Sequence, residues 1–235
     1  MPTEGVNVKT NYDLVTFGET MIRLSLPDHR RLEQAERLDV HVGGSELNTA
    51  VAAQRLGLNT SYVTRLTKNP LGQMIENKAR EHGVDTSHIV WTDEERVGLY
   101  FVEFGASPRA NSVLYDRRDS AIARIHPGEI DWNDVFQGGK VFHTSGITPA
   151  LSPNAAEATR EAVEAAKKIG LKVSIDLNYR ACLWSQQEAR AVMTELVDAA
   201  DILITTEEDT ERVFGIKKDN YEEVAKALAE QFHLG

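Results

Sequence analysis

From Val141 to Thr205 the chain alternates short apolar runs with long stretches of helical periodicity, and no other feature restricts the fold as much. VFHTS at 141–145 reads as a strand, Pro153 to Ile169 as a helix stopped at Gly170, KVSID as a strand, Gln186 to Ala200 as a helix and ILIT as a strand. The N-terminal part repeats the rhythm. Leu14 to Phe17 is an apolar run closed by Gly18-Glu19, Ser61 to Arg65 is a second strand, and Gly72 to His82 is a helix with Met74, Ile75 and Ala79 inward and Gly83 as its stop. Val84 to Trp91 then returns toward the sheet. Strands that alternate with helices define the α/β class, and 235 residues with 41% hydrophobic content suffice for one sizeable α/β domain over 1–235.

Two segments break the rhythm. Met21 to Leu26 and Leu38 to Val42 alternate apolar with polar residues around Pro27 and a charged loop, which predicts half-exposed strands. Val97 to Phe104 and Ser112 to Arg117, joined by the turn-rich GASPRAN, predict a hairpin. Together they make a small sheet projecting from the main domain. With a period of two, Tyr115 and Arg117 share one face, and Gly98, Tyr100, Val102 and Phe104 share another provided that no bulge intervenes. Phenols and a guanidinium suit a polyhydroxylated acid; the same composition also suits an ordinary solvated hairpin.

Candidate site residues lie where α/β sheets hold ligands, at strand C-termini. In HVGGSELNTAVAAQRLGL, Gly43 and Gly44 allow positive φ and a close approach of backbone to ligand, Ser45 is expected to cap the helix and Asn48 falls near its first turn; a plain tight turn is the competing reading. The stretch matches neither the P-loop nor G-x-G-x-x-G. Further along are HTSG-Ile147, Asp176 to Arg180 and Thr206 to Asp209, although Asp176 is equally a turn cap and Glu207 to Glu211 equally an acidic first helical turn. The single cysteine, Cys182, excludes an internal disulfide framework, and the sequence shows no span of membrane length and no secretory h-region, so a cytoplasmic location is expected. A net charge of −10 disfavours nucleic acid and leaves a metabolite as the expected partner. Residues 1–11 are expected to form a loose tail. The pattern closes on the helix Tyr221 to Phe232 with no returning strand, which suggests a domain cut short.

Gly43-Gly-Ser-Glu-Leu-Asn48-Thr-Ala, RLTKNPLGQMI, Gly98-Leu-Tyr100, HTSGITPALSP and DLNYR together resemble the PfkB-type (ribokinase-like) carbohydrate kinases, and within them the 2-keto-3-deoxygluconate kinases. The resemblance covers residue 13 to about 232. It implies a ribokinase-like three-layer sandwich, truncated at the C-terminus, with a small β lid built from about 20–42 and 97–118. It further implies ATP-dependent phosphorylation of 2-keto-3-deoxygluconate or a related sugar acid, with Mg2+, and a homo-oligomer formed through the lid. Carried over residue by residue, Gly44, Ser45, Glu46, Leu47 and Asn48 would hold sugar hydroxyls. Tyr100, Tyr115 and Arg117 would come from the lid, with Ile147 beneath the substrate. Asn178, Tyr179 and Arg180 would lie toward the nucleotide phosphates, Arg180 also reaching the acid. The N-x-x-E stretch that many members use near magnesium corresponds to Thr206-Glu-Glu-Asp209, with both end residues changed, and metal ligands stay unassigned. The family's Gly-Ala-Gly-Asp stretch, which carries the anion hole and the catalytic base, is absent. No catalytic residue is therefore assigned: the base is expected beyond Gly235, and the chain alone is expected to be inactive. A non-catalytic sugar-acid binding module and a kinase for a neutral sugar such as fructose or ribose are the alternatives.

Overall fold

The protein, a computed structural model, is described over residues 11–234, so all of the expected tail except Asn11 lies outside the described residues. Gly235, beyond which the catalytic base is expected, lies outside them as well, and the structure therefore does not bear on that expectation. In chain order the strands are β1 (Leu14–Phe17), β2 (Met21–Ser25), β3 (Asp39–Gly43), β4 (Thr60–Val63), β5 (Arg65–Thr67), β6 (Val90–Thr92), β7 (Leu99–Glu103), β8 (Ser112–Asp116), β9 (Val141–Ser145), β10 (Lys172–Asp176) and β11 (Ile202–Ile204). The helices are α1 (Ser45–Arg55), α2 (Pro70–Glu81), α3 (Trp132–Val135), α4 (Pro153–Ile169), α5 (Gln186–Asp198), α6 (Glu207–Phe214) and α7 (Tyr221–Phe232).

The main sheet has the order β11-β10-β9-β1-β4 and every pairing in it is parallel. Parallel sheets need cover on both faces, and adjacent residues of β4 show that this one has it. Tyr62 packs with Leu47 and Ala50 of α1 and with Ile75 and Ala79 of α2, whereas Val63 points the other way, into the cluster of Phe17, Phe142, Ala162 of α4 and Met193 of α5. The result is the expected three-layer sandwich.

Helix boundaries follow the capping residues. Asn69 accepts hydrogen bonds from the N–H groups of Leu71 (2.9 Å) and Gly72 (3.0 Å), so α2 begins at Pro70, two residues before the expected start. Ser152 caps α4 and Gly170, at φ 97°, ends it as expected. The expectation for Ser45 fails: the residue outside α1 is Gly44, at φ −162° and ψ 143°, and Ser45 is already helical. Gly44 is therefore in extended backbone, and the positive φ anticipated there does not occur.

Two strand expectations also change. Ser61 to Arg65 splits at Thr64 into β4 and β5, and Val84 to Trp91 returns in two places: Asp85 bridges Ser61 at the β4 edge of the main sheet, and β6 pairs with β5 in a separate two-stranded parallel sheet. The projecting sheet forms as expected, in the order β3-β2-β7-β8. Its centre is a parallel pair, Ile22 opposite Leu99, flanked by antiparallel partners. Since β2 and β3 are inserted between β1 and α1, this lid grows directly out of the C-terminal edge of the main sheet.

Candidate active site

The site is built where β1, β9 and β10 end and the lid begins. At the end of β1, Tyr62 donates to the Gly18 carbonyl (2.8 Å) and shares a 2.7 Å hydrogen bond with Thr20, which fixes the turn into the lid. Between these residues, Glu19 is buried, receives Ser120 Oγ at 2.8 Å and pairs with the Arg117 guanidinium. Burial pushes the Glu19 carboxyl upward, and the Arg117 charge opposes this. Arg117 lies one residue beyond β8 rather than within it, and only 8% of it is exposed. Its Nε has no hydrogen-bond partner among the described residues.

On the lid, Tyr100 and Tyr115 face each other across the β7–β8 pair with rings stacked at 5.9 Å, and the Arg117 guanidinium lies 5.6 Å from the Tyr115 ring centre. The continuous register means that no bulge separates Tyr100 from its strand face. Tyr100 also reaches across to the end of β3: a Cβ on Gly43 would stand 2.8 Å from its hydroxyl. Gly44 is needed for a different reason, because a Cβ there would meet the Glu19 carbonyl and lie 2.5 Å from Thr20 Oγ1. The glycine pair thus admits a lid phenol and the β1–β2 turn. A cavity of about 580 Å³ adjoins the lid, lined by Tyr115, Arg117, Arg118, Arg124, Asn154 and Cys182 among others.

Under the rim, Glu46 is wholly buried and accepts a hydrogen bond from Ser145 Oγ at the end of β9; burial drives its carboxyl up to about 7. Ser145 Oγ in turn accepts from Ile147 N–H at 3.2 Å. At the end of β10, burial raises Asp176, while the Asn178 amide, 3.0 Å from its Oδ2, works the other way. Asn178 itself sits at φ 36°, a left-handed position that asparagine tolerates.

The profile of the pfkB family carbohydrate kinases matches residues 11–234. The chain belongs to that family. It is 41% identical over 207 residues to a 2-dehydro-3-deoxygalactonokinase of Haloferax volcanii, covering 88% of this chain and 64% of that protein. A 5-dehydro-2-deoxygluconokinase of Shouchella clausii is 35% identical over 220 residues, covering 92% of this chain and 67% of the relative. The crystal structure of a 2-dehydro-3-deoxygluconokinase from Thermotoga maritima superposes with a TM-score of 0.90 at 40% identity, over 94% of this chain and 69% of that one. The chain therefore spans about two thirds of the length of the pfkB proteins it resembles.

Within the pfkB fold, the expected site residues separate by position. Gly44, Tyr100, Tyr115 and Arg117 lie together at the lid, and Glu46 with Ile147 lies at the end of β9. Asn48 and Arg180 have exposed side chains on the rim, open to a ligand. Leu47 and Tyr179 do not present their side chains. Leu47 belongs to the core under α1, and the Tyr179 ring is in the main core with its hydroxyl donating to the Trp184 carbonyl (3.2 Å). Tyr179 meets the rim only through its N–H, which Asp209 accepts at 3.3 Å. Ser145 was read only as part of HTSG and given no role, and Arg118 and Arg124 went unread. The position of Ser145 at the end of VFHTS was a usable signal, whereas nothing local distinguishes the two arginines from surface charge.

Proposed function

We propose that this chain forms the sugar-acid side of an ATP-dependent kinase for a 2-keto-3-deoxy sugar acid, 2-keto-3-deoxygluconate or its galactonate epimer, working in the cytoplasm. The observation that carries this reading is the stacked Tyr100–Tyr115 pair leading into a cavity lined by Arg117, Arg118 and Arg124. In a chain of net charge −10, such local cations are what an anionic sugar needs. Gly44, Ser45 and Asn48 with the lid phenols meet the hydroxyls, Glu46 and Leu47 support them from beneath, and Ile147 supplies the floor.

Exposed Arg180 and the Asn178 amide offer a cation and a donor to the nucleotide phosphates, and Tyr179 contributes through its backbone. ATP supplies the phosphoryl group and Mg2+ its charge compensation. The Gly-Ala-Gly-Asp stretch does not occur in the 235 residues that end at Gly235, so we assign no catalytic base within them. The exposed apolar residues Val40, Val113 and Leu114 on the lid suit a homo-oligomer formed through it.

One observation favours a neutral sugar instead: two of the three arginines are already paired, Arg117 with Glu19 and Arg124 at 2.8 Å with Asp119, which also lines the cavity. Calorimetry with 2-keto-3-deoxygluconate, 2-keto-3-deoxygalactonate and fructose decides between them. The acids are expected to bind and fructose to bind at least tenfold more weakly; equal affinities would overturn the sugar-acid reading.

A further inference from the structure

The strand order places a topological switch point between β1 and β9, since the chain leaves β1 for β4 on one side and β9 for β10 on the other. One side chain closes this crevice. A Cβ on Gly18, at the end of β1, would overlap the Glu46 carboxyl, and Ser145, at the end of β9, donates to Glu46 Oε1. Glu46 belongs to the first turn of α1, so a single carboxyl of that helix packs against the end of β1 and is hydrogen-bonded to the end of β9, where Ser145 also accepts from the Ile147 N–H. Its Oε2 is buried and has no hydrogen-bond partner among the described residues.

The charges that face Glu46 do not balance it. From the β1–β2 turn comes Glu19, whose charge Arg117 already meets, with Ser120 adding a hydrogen bond. From β10 comes Asp176, held by the Asn178 amide, and from β4 comes Tyr62, a neutral phenol. Three carboxyls thus share one buried guanidinium. The α1 N-terminus and the Ser145 hydroxyl favour a charged Glu46, but an unpaired buried carboxylate is costly enough to outweigh them.

We propose that Glu46 is a positioning residue of the sugar-acid site that clamps the ends of β1 and β9 as an uncharged acid, so that an anionic sugar binds over it only while it keeps its proton. The linkage rests on the sugar-acid reading above; the clamp does not. Burial holds the proton up to about pH 7, and a carboxylate arriving at the rim raises that threshold further. Above it, each free protein must take up a proton to bind, and affinity falls toward tenfold per pH unit.

The test has an arm without ligand and an arm with it. In the first, thermal unfolding of wild type and Glu46→Gln is followed from pH 4.5 to 8. Folding favours the protonated acid, so the wild type loses stability relative to the amide as pH rises from about 4.5 to about 7, and the gap is constant above. The carboxyl 13C resonance of Glu46, followed in the wild type, gives the same titration should the amide variant not fold. Parallel unfolding curves and a carboxyl titrating near pH 4.5 would overturn the proposal whatever the ligand does. In the second arm, calorimetry with 2-keto-3-deoxygluconate is expected to show affinity falling about tenfold from pH 7.5 to 8.5 in the wild type and unchanged in Glu46→Gln. A widening stability gap with pH-independent binding would overturn the linkage and leave the site reading intact. The same gap with no binding at any pH would overturn the sugar-acid reading, and the linkage with it.

Discussion

At the scale of single residues, burial determines what each ionisable group near the sheet edge does. Arg117 was legible as a cation on the lid, but its partner was not, because Glu19 lies 98 positions away and no local pattern joins them. Removing one member of a buried pair strands the other. Arg117→Ala is therefore expected to cost about 3–5 kcal/mol by thermal or urea unfolding with no ligand present. Arg117→Lys should recover part of that, since it restores the charge without the planar fork. His143, buried in β9 beside Ser174 Oγ at 3.0 Å, is driven down to about 4. An imidazole depressed on folding stabilises the native state above its unfolded value near 6.5 and loses that contribution as pH falls through 4. The loss amounts to about 3 kcal/mol. Glu46 slopes the opposite way over pH 4.5 to 7, so the two nearly cancel in the wild type between 4.5 and 6.5. His143→Gln should unmask a stability that falls with rising pH across that window, read from urea midpoints at pH 4.5, 5.5 and 6.5.

At the scale of elements, what could be read in advance was whatever carries its own punctuation. Helices α4 and α7 were read with their observed bounds, because Pro153, Gly170 and the Tyr221 to Phe232 stripe are local signals. The central lid pair β2–β7 was not legible, since two parallel strands with 73 residues between them leave no trace in either segment. Nor was the break at Thr64, where the apolar pattern runs on but the pairing partner changes from β1 to β6. The glycine pair was identified as special, and the structure adds a reason that is not local: a Cβ on Gly43 would meet the Tyr100 hydroxyl, and one on Gly44 the Glu19–Thr20 turn. Gly44→Ala, in backbone that any residue adopts, should lower the melting temperature before any sugar is added, because the new methyl must displace the Glu19–Thr20 turn. A melting temperature equal to the wild type's would show that the turn yields without cost.

At the scale of the whole molecule, the α/β class, the covered sheet and the lid were all legible, because they follow from periodicity and from the resemblance. Which strands neighbour one another was not. Leu114, 59% exposed and opposite Phe101 on the sheet face turned away from Tyr115, is the candidate contact of the proposed homo-oligomer, in which Leu114→Glu should shift the sedimentation coefficient toward that of a single chain. The strand order also sets a timetable. β1 lies between β4, complete at Val63, and β9, which begins only at Val141. A ribosome adding about 5–20 residues per second needs roughly 4–16 seconds to cover that interval, during which one edge of β1 has no neighbour. The Glu46 crevice cannot exist until then, so a nascent chain arrested before Ser145 emerges would bear α1 and β1 with a strand edge ready to pair with another copy. The late arrival of β9 makes the synthesis of residues 64–140 an interval in which the open edge of β1 is available to a chaperone.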